Sequence, residues 1–167
     1  MIKDLVQIKR FGEKQREENQ RFRAWMKRHN FVERRFKTIA QDVEESIDCT
    51  SCANCCRVAT TQITERDAEH LARFLRVKVI DFLRDYTEQT EEEGLILKRN
   101  ENGCVFLDGN LCSVYEARPH TCELFPHLVK GNGSLLSRMW HMPDRAVYCP
   151  IVFNTLEQFK EETGFKK

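Results

Sequence analysis

The sequence predicts a mainly helical α+β fold, in which a small cysteine-cluster domain with a short β-hairpin follows an N-terminal helical extension. Three observations predict it. Apolar residues recur at steps of three and four over long stretches, which is typical of amphipathic helices. Gly-containing turns separate short apolar runs, which is typical of hairpins. Finally, the chain of 167 residues has 8 cysteines, and four of them lie within residues 49–56.

The predicted extension covers residues 1–47 and the predicted cysteine-cluster domain covers residues 48–167. Helix is expected from Lys14 to Ile47, with a break at His29-Asn30. Such a helical pair must cover its apolar stripe, either on the cysteine-cluster domain or on a protein partner or a second copy in a homodimer. The stripe consists of apolar residues on successive turns: Phe22, Trp25, Met26, Val32, Phe36, Ile39, Val43 and Ile47.

Charge and hydropathy exclude several classes of protein. Residues 1–47 hold 12 Lys and Arg against 8 Asp and Glu, and residues 48–167 hold 15 against 18. The basic residues alternate with acids, which indicates solvated helix faces rather than a nucleic-acid surface. No apolar run reaches the ~18 residues of a membrane helix, and the charged N-terminus lacks the apolar centre of a signal peptide. We therefore expect a cytoplasmic protein that binds neither nucleic acid nor membranes.

Helices and strands are also predicted after the first cysteines. The β-branched run in residues 58–64 predicts a short strand, and Thr64 with Asp67 predicts a capping box that starts a helix. The run in residues 78–86 predicts a second helix that buries Val79, Phe82 and Leu83. Residues 87–94 are polar and predict a solvated loop.

Two turn signals, Asn102-Gly103 and Asp108-Gly109-Asn110, predict a β-hairpin region. The hairpin would bring Cys104 and Cys112 onto neighbouring strands. Residues 117–127 contain two prolines and predict one-turn pieces, and residues 131–140 predict a loop that leads into a strand. The last helix should start with Asn154 or Thr155 as its cap and end at Gly164.

The cysteines predict a metal site. Thiolates bind soft metals, and structural disulfides are rare in a reducing cytoplasm. The gap of two residues in Cys49-x-x-Cys52-x-x-Cys55 lets a tight loop aim successive sulfurs at one centre, as in zinc knuckles and iron–sulfur loops. The expected cofactor is an iron–sulfur cluster, with 4Fe–4S favoured, or zinc. All eight cysteines are the predicted ligands: Cys49, Cys52, Cys55, Cys56, Cys104, Cys112, Cys122 and Cys149.

The division of these ligands follows from Cys55-Cys56, because adjacent side chains of an extended chain point to opposite sides. Two four-ligand sites or one multinuclear centre satisfy this constraint. One division gives Cys49, Cys52 and Cys55 a remote fourth ligand and joins Cys56 to the cysteines of the hairpin region. Cys149-Pro150 is attractive as the remote ligand, because bacterial ferredoxin motifs end in Cys-Pro.

Cations are expected near the ligands, because zinc with four thiolates carries a net charge of about −2. Arg57 is either an ordinary surface charge or a counter-charge. Arg118 precedes a proline in a cysteine-bearing loop and is the predicted supporting residue. Any of three histidines in this half of the chain could replace a thiolate: His120, His127 and His141. We find no phosphate-binding Gly loop, metalloprotease motif or nucleophile elbow, so no catalytic residue is predicted.

The cysteine pattern with GCVFLDGNLCSVYEARPHTCELFP resembles the CxxCxxCC cysteine-cluster family, the YkgJ-type zinc- or iron-chelating domains, over about residues 48–153. Several separated motifs occur in order, and the helical residues 63–86 resemble the family's insert between its cysteine groups. The motifs are Cys104-x-x-Leu107, Cys112-x-x-Tyr115 and Arg118-Pro119-x-x-Cys122-x-x-Phe125-Pro126.

The resemblance implies zinc or iron binding. Some members are described as iron–sulfur oxidoreductases, and one branch as flagellin lysine methylases, for which this chain shows no cofactor motif. The sequence thus supports three hypotheses. The first is a metal-stapled binding protein, in which metal contributes to folding. The second is an iron–sulfur oxidoreductase or a metal-dependent protein-modifying enzyme. The third is a metal-handling module that dimerises through its N-terminal helices.

Overall fold

The computed structural model describes residues 1–29, 31 and 33–166. It divides into two compact units, one made of residues 1–48 and 125–167 and the other of residues 49–124. We call them the core unit and the cysteine unit. Helices dominate, and short antiparallel strand pairs accompany them, which confirms the predicted fold class. The predicted division between residues 47 and 48 into an extension and a domain stays a prediction.

Three N-terminal helices belong to the core unit: α1 (Leu5–Lys14), α2 (Arg16–Arg28) and α3 (Glu33–Ser46). Helix therefore begins earlier than predicted, because the Asp4 side chain accepts a hydrogen bond of 2.8 Å from the Gln7 backbone N–H and caps α1. The break at His29 is confirmed, since its backbone is extended. Asn30 and Val32 lie outside the described residues.

The apolar stripes of α2 and α3 pack within the core unit. They surround Phe159 of the last helix, with ring centroids 6.0 Å away at Phe22 and 5.1 Å away at Phe36. Trp25 is only partly buried beside them. Intramolecular packing therefore covers these residues, and a homodimer through them stays a prediction. The buried members of the stripes are Phe22, Met26, Phe36, Ile39, Val43 and Ile47.

The C-terminal part of the core unit is more helical than predicted. Residues 131–140 do not lead into a strand, because Ser134 caps a helical turn and Leu135 and Met139 bury one face. The last helix begins at Pro150, which suits a first helical turn because its missing N–H has no acceptor there. It ends at Gly164 as predicted, with φ of 68°. The elements are α9 (Leu135–Arg138), a 3-10 helix (Met139–His141), α10 (Met142–Arg145) and α11 (Pro150–Thr163).

The cysteine unit combines short helices with three strand pairs, β1–β2, β3–β4 and β5–β6. The helices are α4 (Cys49–Cys52), α5 (Asn54–Val58), α6 (Glu65–Leu75), α7 (Val79–Tyr86), a 3-10 helix (Tyr115–Ala117) and α8 (His120–Leu124). The strands are β1 (Thr87–Thr90), β2 (Gly94–Leu97), β3 (Arg99–Asn100), β4 (Gly103–Cys104), β5 (Leu107–Asp108) and β6 (Leu111–Cys112). None of the helices in the described ranges is long and apolar enough to cross a bilayer.

Some of the local predictions for this unit are confirmed and others are wrong. The capping box of Thr64 and Asp67 is confirmed. Phe82 is buried and Leu83 is partly buried, but Val79, the first residue of α7, is 40% exposed. The loop prediction for residues 87–94 holds only for the acidic residues 91–93, which form an exposed turn, whereas β1 pairs Thr87 with the buried Leu97. The predicted strand at residues 58–64 is reduced to a single bridge at Gln62.

Both predicted turns join antiparallel strands, but the prediction that Cys104 and Cys112 lie on neighbouring strands was wrong. Cys104 pairs with Arg99 across β3–β4, and Cys112 pairs with Leu107 across β5–β6, so the two cysteines lie in separate strand pairs. Phe106 between them is buried in the core of this unit, and the apolar run of residues 104–107 divides between two strands around it. The sequence pattern predicted both turns, but it did not predict that Cys104 and Cys112 belong to different strand pairs.

Candidate metal centre

The CxxCxxCC segment consists of two helical turns, α4 and α5, joined at Ala53. Ala53 is buried and adopts a left-handed conformation with φ of 48°, which costs a non-Gly residue roughly 1 kcal/mol. This reversal separates the first two cysteines of the segment from the last two. The surrounding contacts must therefore hold the segment in place.

Cys55 and Cys56 lie on the same side of α5, with their Sγ atoms 4.0 Å apart. The prediction that they point to opposite sides was wrong, because it assumed an extended chain, whereas adjacent residues in a helix differ by only about 100° in direction. Sulfurs around one tetrahedral zinc ion are roughly 3.8 Å apart, given a Zn–S distance near 2.3 Å. The separation of this pair is therefore close to that of two ligands of one ion.

Arg57 fastens the segment to the β5–β6 turn. Its guanidinium donates hydrogen bonds to the Cys52 carbonyl oxygen at 2.8 Å, to the Gly109 carbonyl oxygen at 3.0 Å, and to the Asn110 side chain. The Asn110 side-chain amide donates in turn to the Ser51 carbonyl oxygen at 2.9 Å. We call Arg57 and Asn110 the clamp. Arg57 is therefore a structural residue of the site rather than an ordinary surface charge.

A close backbone contact fastens the segment to β4. A Cβ atom on Gly103 would lie 2.5 Å from the Cys56 carbonyl oxygen and 2.7 Å from the Arg57 Cα atom, so only glycine fits there. Arg99, the cross-strand partner of Cys104, donates to the carbonyl oxygens of Ala59 and Arg57. The residue that precedes Cys104 thus packs directly on the backbone of Cys56.

Cys122 is held from another direction. Its helix α8 begins where the His120 backbone N–H donates to the Asp67 carboxylate at 2.9 Å. Burial raises the pKa of Asp67, but the hydrogen bonds from His120 and Thr64 outweigh it and leave this pKa below its ordinary value. The Cys122 thiol lies 3.9 Å from the Thr61 hydroxyl. The Asp67 carboxylate therefore both caps α6 and fixes the start of the helix that carries Cys122.

Four of the thiols influence one another's charge. Burial, helped by negative charge on Cys56, Cys104 and Cys112, raises the pKa of Cys122 to about 12. Burial also raises the pKa of Cys104, and charge on Cys56 and Cys112 adds to this shift. The pKa of Cys112 is raised in the same way by burial and by charge on Cys56. These four thiols therefore lie within electrostatic range of each other.

Cys56 differs from the other three. The hydrogen bond with the Cys55 thiol, together with positive charge on Arg57 and Arg99, lowers the pKa of Cys56 to about 7 against the effect of burial. Arg118 has a similar influence at Cys112, where its charge opposes the rise in pKa. Arg118 also stacks over the Tyr115 ring, 4.0 Å from the centroid. Its predicted role as support of the ligands stays a prediction.

The remaining predicted ligands are placed differently. Cys49 is exposed, Cys52 is partly buried, and Cys149 is buried in the core unit, where it precedes α11. The histidines His127 and His141 also belong to the core unit, and His120 is exposed beside Glu123. All eight cysteines are described, and none is in a disulfide.

The donor set of the cysteine unit suits a soft metal, because thiols from separate segments lie beside guanidinium groups that offset thiolate charge. No three His, Cys, Asp or Glu side chains in residues 1–29, 31 and 33–166 are already arranged to hold an ion. The thiols would have to close around a metal. Sequence reasoning missed four residues that position the thiols: Thr61, Asp67, Arg99 and Asn110. Asn110 gave a signal as part of the predicted turn and Asp67 as part of the predicted capping box, but neither signal pointed to the thiols.

Comparisons with known proteins place the chain in a family. Residues 48–150 match the model of the CxxCxxCC family, described as "Putative zinc- or iron-chelating domain". The chain is 33% identical over 101 residues to the uncharacterized protein MJ0939 of Methanocaldococcus jannaschii, covering 56% of this chain and 34% of that protein. It is 31% identical over 90 residues to the uncharacterized protein MJ0661 of the same organism, covering 52% of this chain and 48% of that protein.

The chain thus spans less than half the length of these two relatives. No solved structure matches it. The family match includes all eight cysteines, namely the seven of the cysteine unit and Cys149, and it covers more than half of the chain. The chain therefore belongs to the CxxCxxCC family of zinc- or iron-chelating domains.

Proposed function

We propose that this chain is a cytoplasmic protein that holds zinc or an iron–sulfur cluster, such as a 4Fe–4S cluster, through its clustered cysteines. One observation carries the proposal. The clamp and Gly103 hold the CxxCxxCC segment against the strand pairs, so that thiols from separate segments come within electrostatic range of one another. A group of thiols inside one small unit is the donor set that soft metals prefer.

The charge balance supports a bound cation. Burial, and to a smaller extent the negative charge of neighbouring thiolates, raises the pKa values of Cys104, Cys112 and Cys122, so that these groups resist ionisation together. Protons keep them neutral in the metal-free protein, and a divalent metal would stabilise the thiolates by replacing those protons. Arg57 and Arg99 already lie near Cys56 and would offset part of the remaining negative charge.

The proposed ligands are drawn from the eight cysteines. The cysteine unit contributes the seven from Cys49 to Cys122, and the assignment of Cys149 stays a prediction because it lies in the core unit. The oxidoreductase and protein-modifying hypotheses also stay predictions.

The test is anaerobic purification followed by elemental analysis, acid-labile sulfide determination and a visible spectrum. Iron with sulfide and a broad visible absorption would identify a cluster, and zinc in stoichiometric amount with no visible absorption would identify zinc. Protein that is folded yet free of zinc and iron in both aerobic and anaerobic preparations would overturn the proposal.

A further inference from the structure

Large apolar side chains are exposed close together in the chain where α6 ends and α7 begins. The exposed fractions are 44% at Phe74, 39% at Val77, 40% at Val79 and 69% at Ile80. No other segment of seven residues in the described chain exposes more than two large apolar side chains. Covering such a cluster removes apolar surface from water, so the cluster favours a binding partner.

The same segment is basic. Arg73, Arg76 and Lys78 are exposed, and residues 73–80 contain no carboxylate. Within the described residues none of these three cations forms an ion pair, whereas Arg84 of α7 pairs with two aspartates. We call residues 73–80 the basic apolar patch. Cations among exposed apolar side chains are complementary to an acidic surface.

The chain itself contains an acidic surface of matching charge. Glu91, Glu92 and Glu93 form the exposed turn between β1 and β2. In the part of the chain that the structure describes, no cation pairs with these carboxylates. We call residues 91–93 the acidic turn. Three negative charges in one turn repel one another, and the three cations of the basic apolar patch would relieve this repulsion.

Helix α7 lies between the two surfaces along the chain. The basic apolar patch is at its N-terminal end, and the acidic turn follows β1, which begins directly after α7. With 8 residues, α7 is about 12 Å long. Ile80 and Arg84 are exposed and lie one turn apart on its solvent side, whereas Phe82 is buried. An exposed helix face thus connects the basic apolar patch to the C-terminal end of α7.

We propose that two copies of this chain form a dimer in which the basic apolar patch of each copy docks on the acidic turn of the other. Two copies of α7 would lie antiparallel across a two-fold axis, and each complementary contact would occur twice. A two-fold contact of this kind closes on itself and does not extend into a filament. The proposal goes beyond metal binding and uses a surface of the cysteine unit, not the N-terminal helices.

The test is sedimentation of the full-length chain by analytical ultracentrifugation over a series of concentrations. Two charge-reversal variants are compared with the wild type, R73E/R76E/K78E in the basic apolar patch and E91K/E92K/E93K in the acidic turn. K9E/R21E/K27E is the matched control, because it reverses three exposed cations of α1 and α2. Metal content is measured in parallel, so that a failure of metal binding is distinguished from a failure of dimerisation.

The wild type and the control should dimerise, and salt should weaken the dimer, because the Debye length falls from about 10 Å at 0.1 M to about 3 Å at 1 M. Each charge-reversal variant alone should have a dimer Kd raised about 100-fold, because like charges then face each other. An equimolar mixture of the two variants should restore the dimer. One copy then has two acidic surfaces and the other has two basic ones.

A wild-type chain that stays monomeric at every concentration would overturn the proposal, including a monomer that binds vesicles containing phosphatidylserine through the basic apolar patch. A dimer that persists in both charge-reversal variants, or folded variants whose mixture does not dimerise, would overturn it as well. If a triple variant fails to fold, Lys78→Glu and Glu92→Lys take its place, and an unchanged Kd in both would count against the proposal.

Discussion

The two units of this chain are stabilised in different ways. The core unit packs long helices around aromatic side chains, with Phe159 between Phe22 and Phe36. Even its buried Lys160 is paired, because it contacts Glu18 and Glu157 and donates to the Asn19 side chain at 3.0 Å. The cysteine unit has short helices, strand pairs of two to four residues, and a smaller apolar cluster.

This difference indicates which unit needs a metal. Units below about 80 residues seldom bury enough apolar surface to be stable without disulfides or a metal, and the cysteine unit spans residues 49–124. Its thiols also repel one another when ionised. The core unit has neither problem. We therefore expect metal to be part of the fold in one unit and irrelevant to the other.

Metal removal should produce the largest effect. A chelator that strips the metal should expose the amides of residues 49–124 to hydrogen exchange and leave those of α3 and α11 protected, because binding and folding are coupled only in the cysteine unit. Exchange measured by mass spectrometry with and without the chelator resolves the two units. Equal protection of residues 49–124 in both samples would contradict the comparison.

Truncation of the aromatic core should destabilise the core unit and leave metal binding in the cysteine unit unchanged. Phe159→Ala should lower the free energy of unfolding of the core unit by about 3–5 kcal/mol, because it leaves a cavity among three other rings. It should not change the metal stoichiometry. Phe106→Ala is the matched variant in the cysteine unit and should weaken metal binding instead. Denaturant unfolding and elemental analysis of both variants check this separation.

Loss of the clamp should weaken metal binding without removing a ligand. Arg57→Ala deletes hydrogen bonds to Cys52, Gly109 and Asn110, so affinity should fall about 10–100-fold, as for other supporting residues of metal sites. Competition with a chromophoric chelator measures it. Arg84→Ala is the control, because Arg84 forms only exposed ion pairs in the described chain. A similar loss in both variants would argue against a specific clamp.

The smallest expected effect concerns Asp67 and pH. Its pKa is below its ordinary value in the folded protein, so the carboxylate contributes stability above about pH 4, which is lost as pH falls through the folded pKa. Asp67→Asn should therefore destabilise the loaded protein by about 1 kcal/mol at pH 7 and progressively less below pH 4. Urea unfolding across this range checks it, with Glu88→Gln at an exposed position of the same unit as the control. A constant difference at all pH values would contradict the assignment.

The sequence predicted features that depend on local chemistry. Turn residues located the bends at Gly103 and Gly109, and the capping box located the start of α6, because these signals act within a few residues. The grouping of Cys56 with later cysteines was proposed from counting ligands and stays a prediction. The reason given, an extended Cys55-Cys56, was wrong.

Features that depend on distant contacts were not predictable from the sequence. Cys104 and Cys112 were expected in one hairpin, but burial of Phe106 divides the strands. The roles of Arg99 and Asp67 depend on partners about 40 to 50 residues away, which no spacing rule identifies. Residues 131–140 were predicted to be a loop leading into a strand, because the glycines at 131 and 133 are typical of loops. The structure instead has a helical turn there, which Ser134 caps.

The central claim is that sulfur atoms from separate segments of residues 49–124 bind a metal. X-ray absorption at the metal edge of the loaded full-length chain tests it most directly, because the first coordination shell gives the type and number of ligand atoms. We predict four sulfur neighbours at about 2.3 Å. A shell dominated by oxygen or nitrogen would contradict the claim.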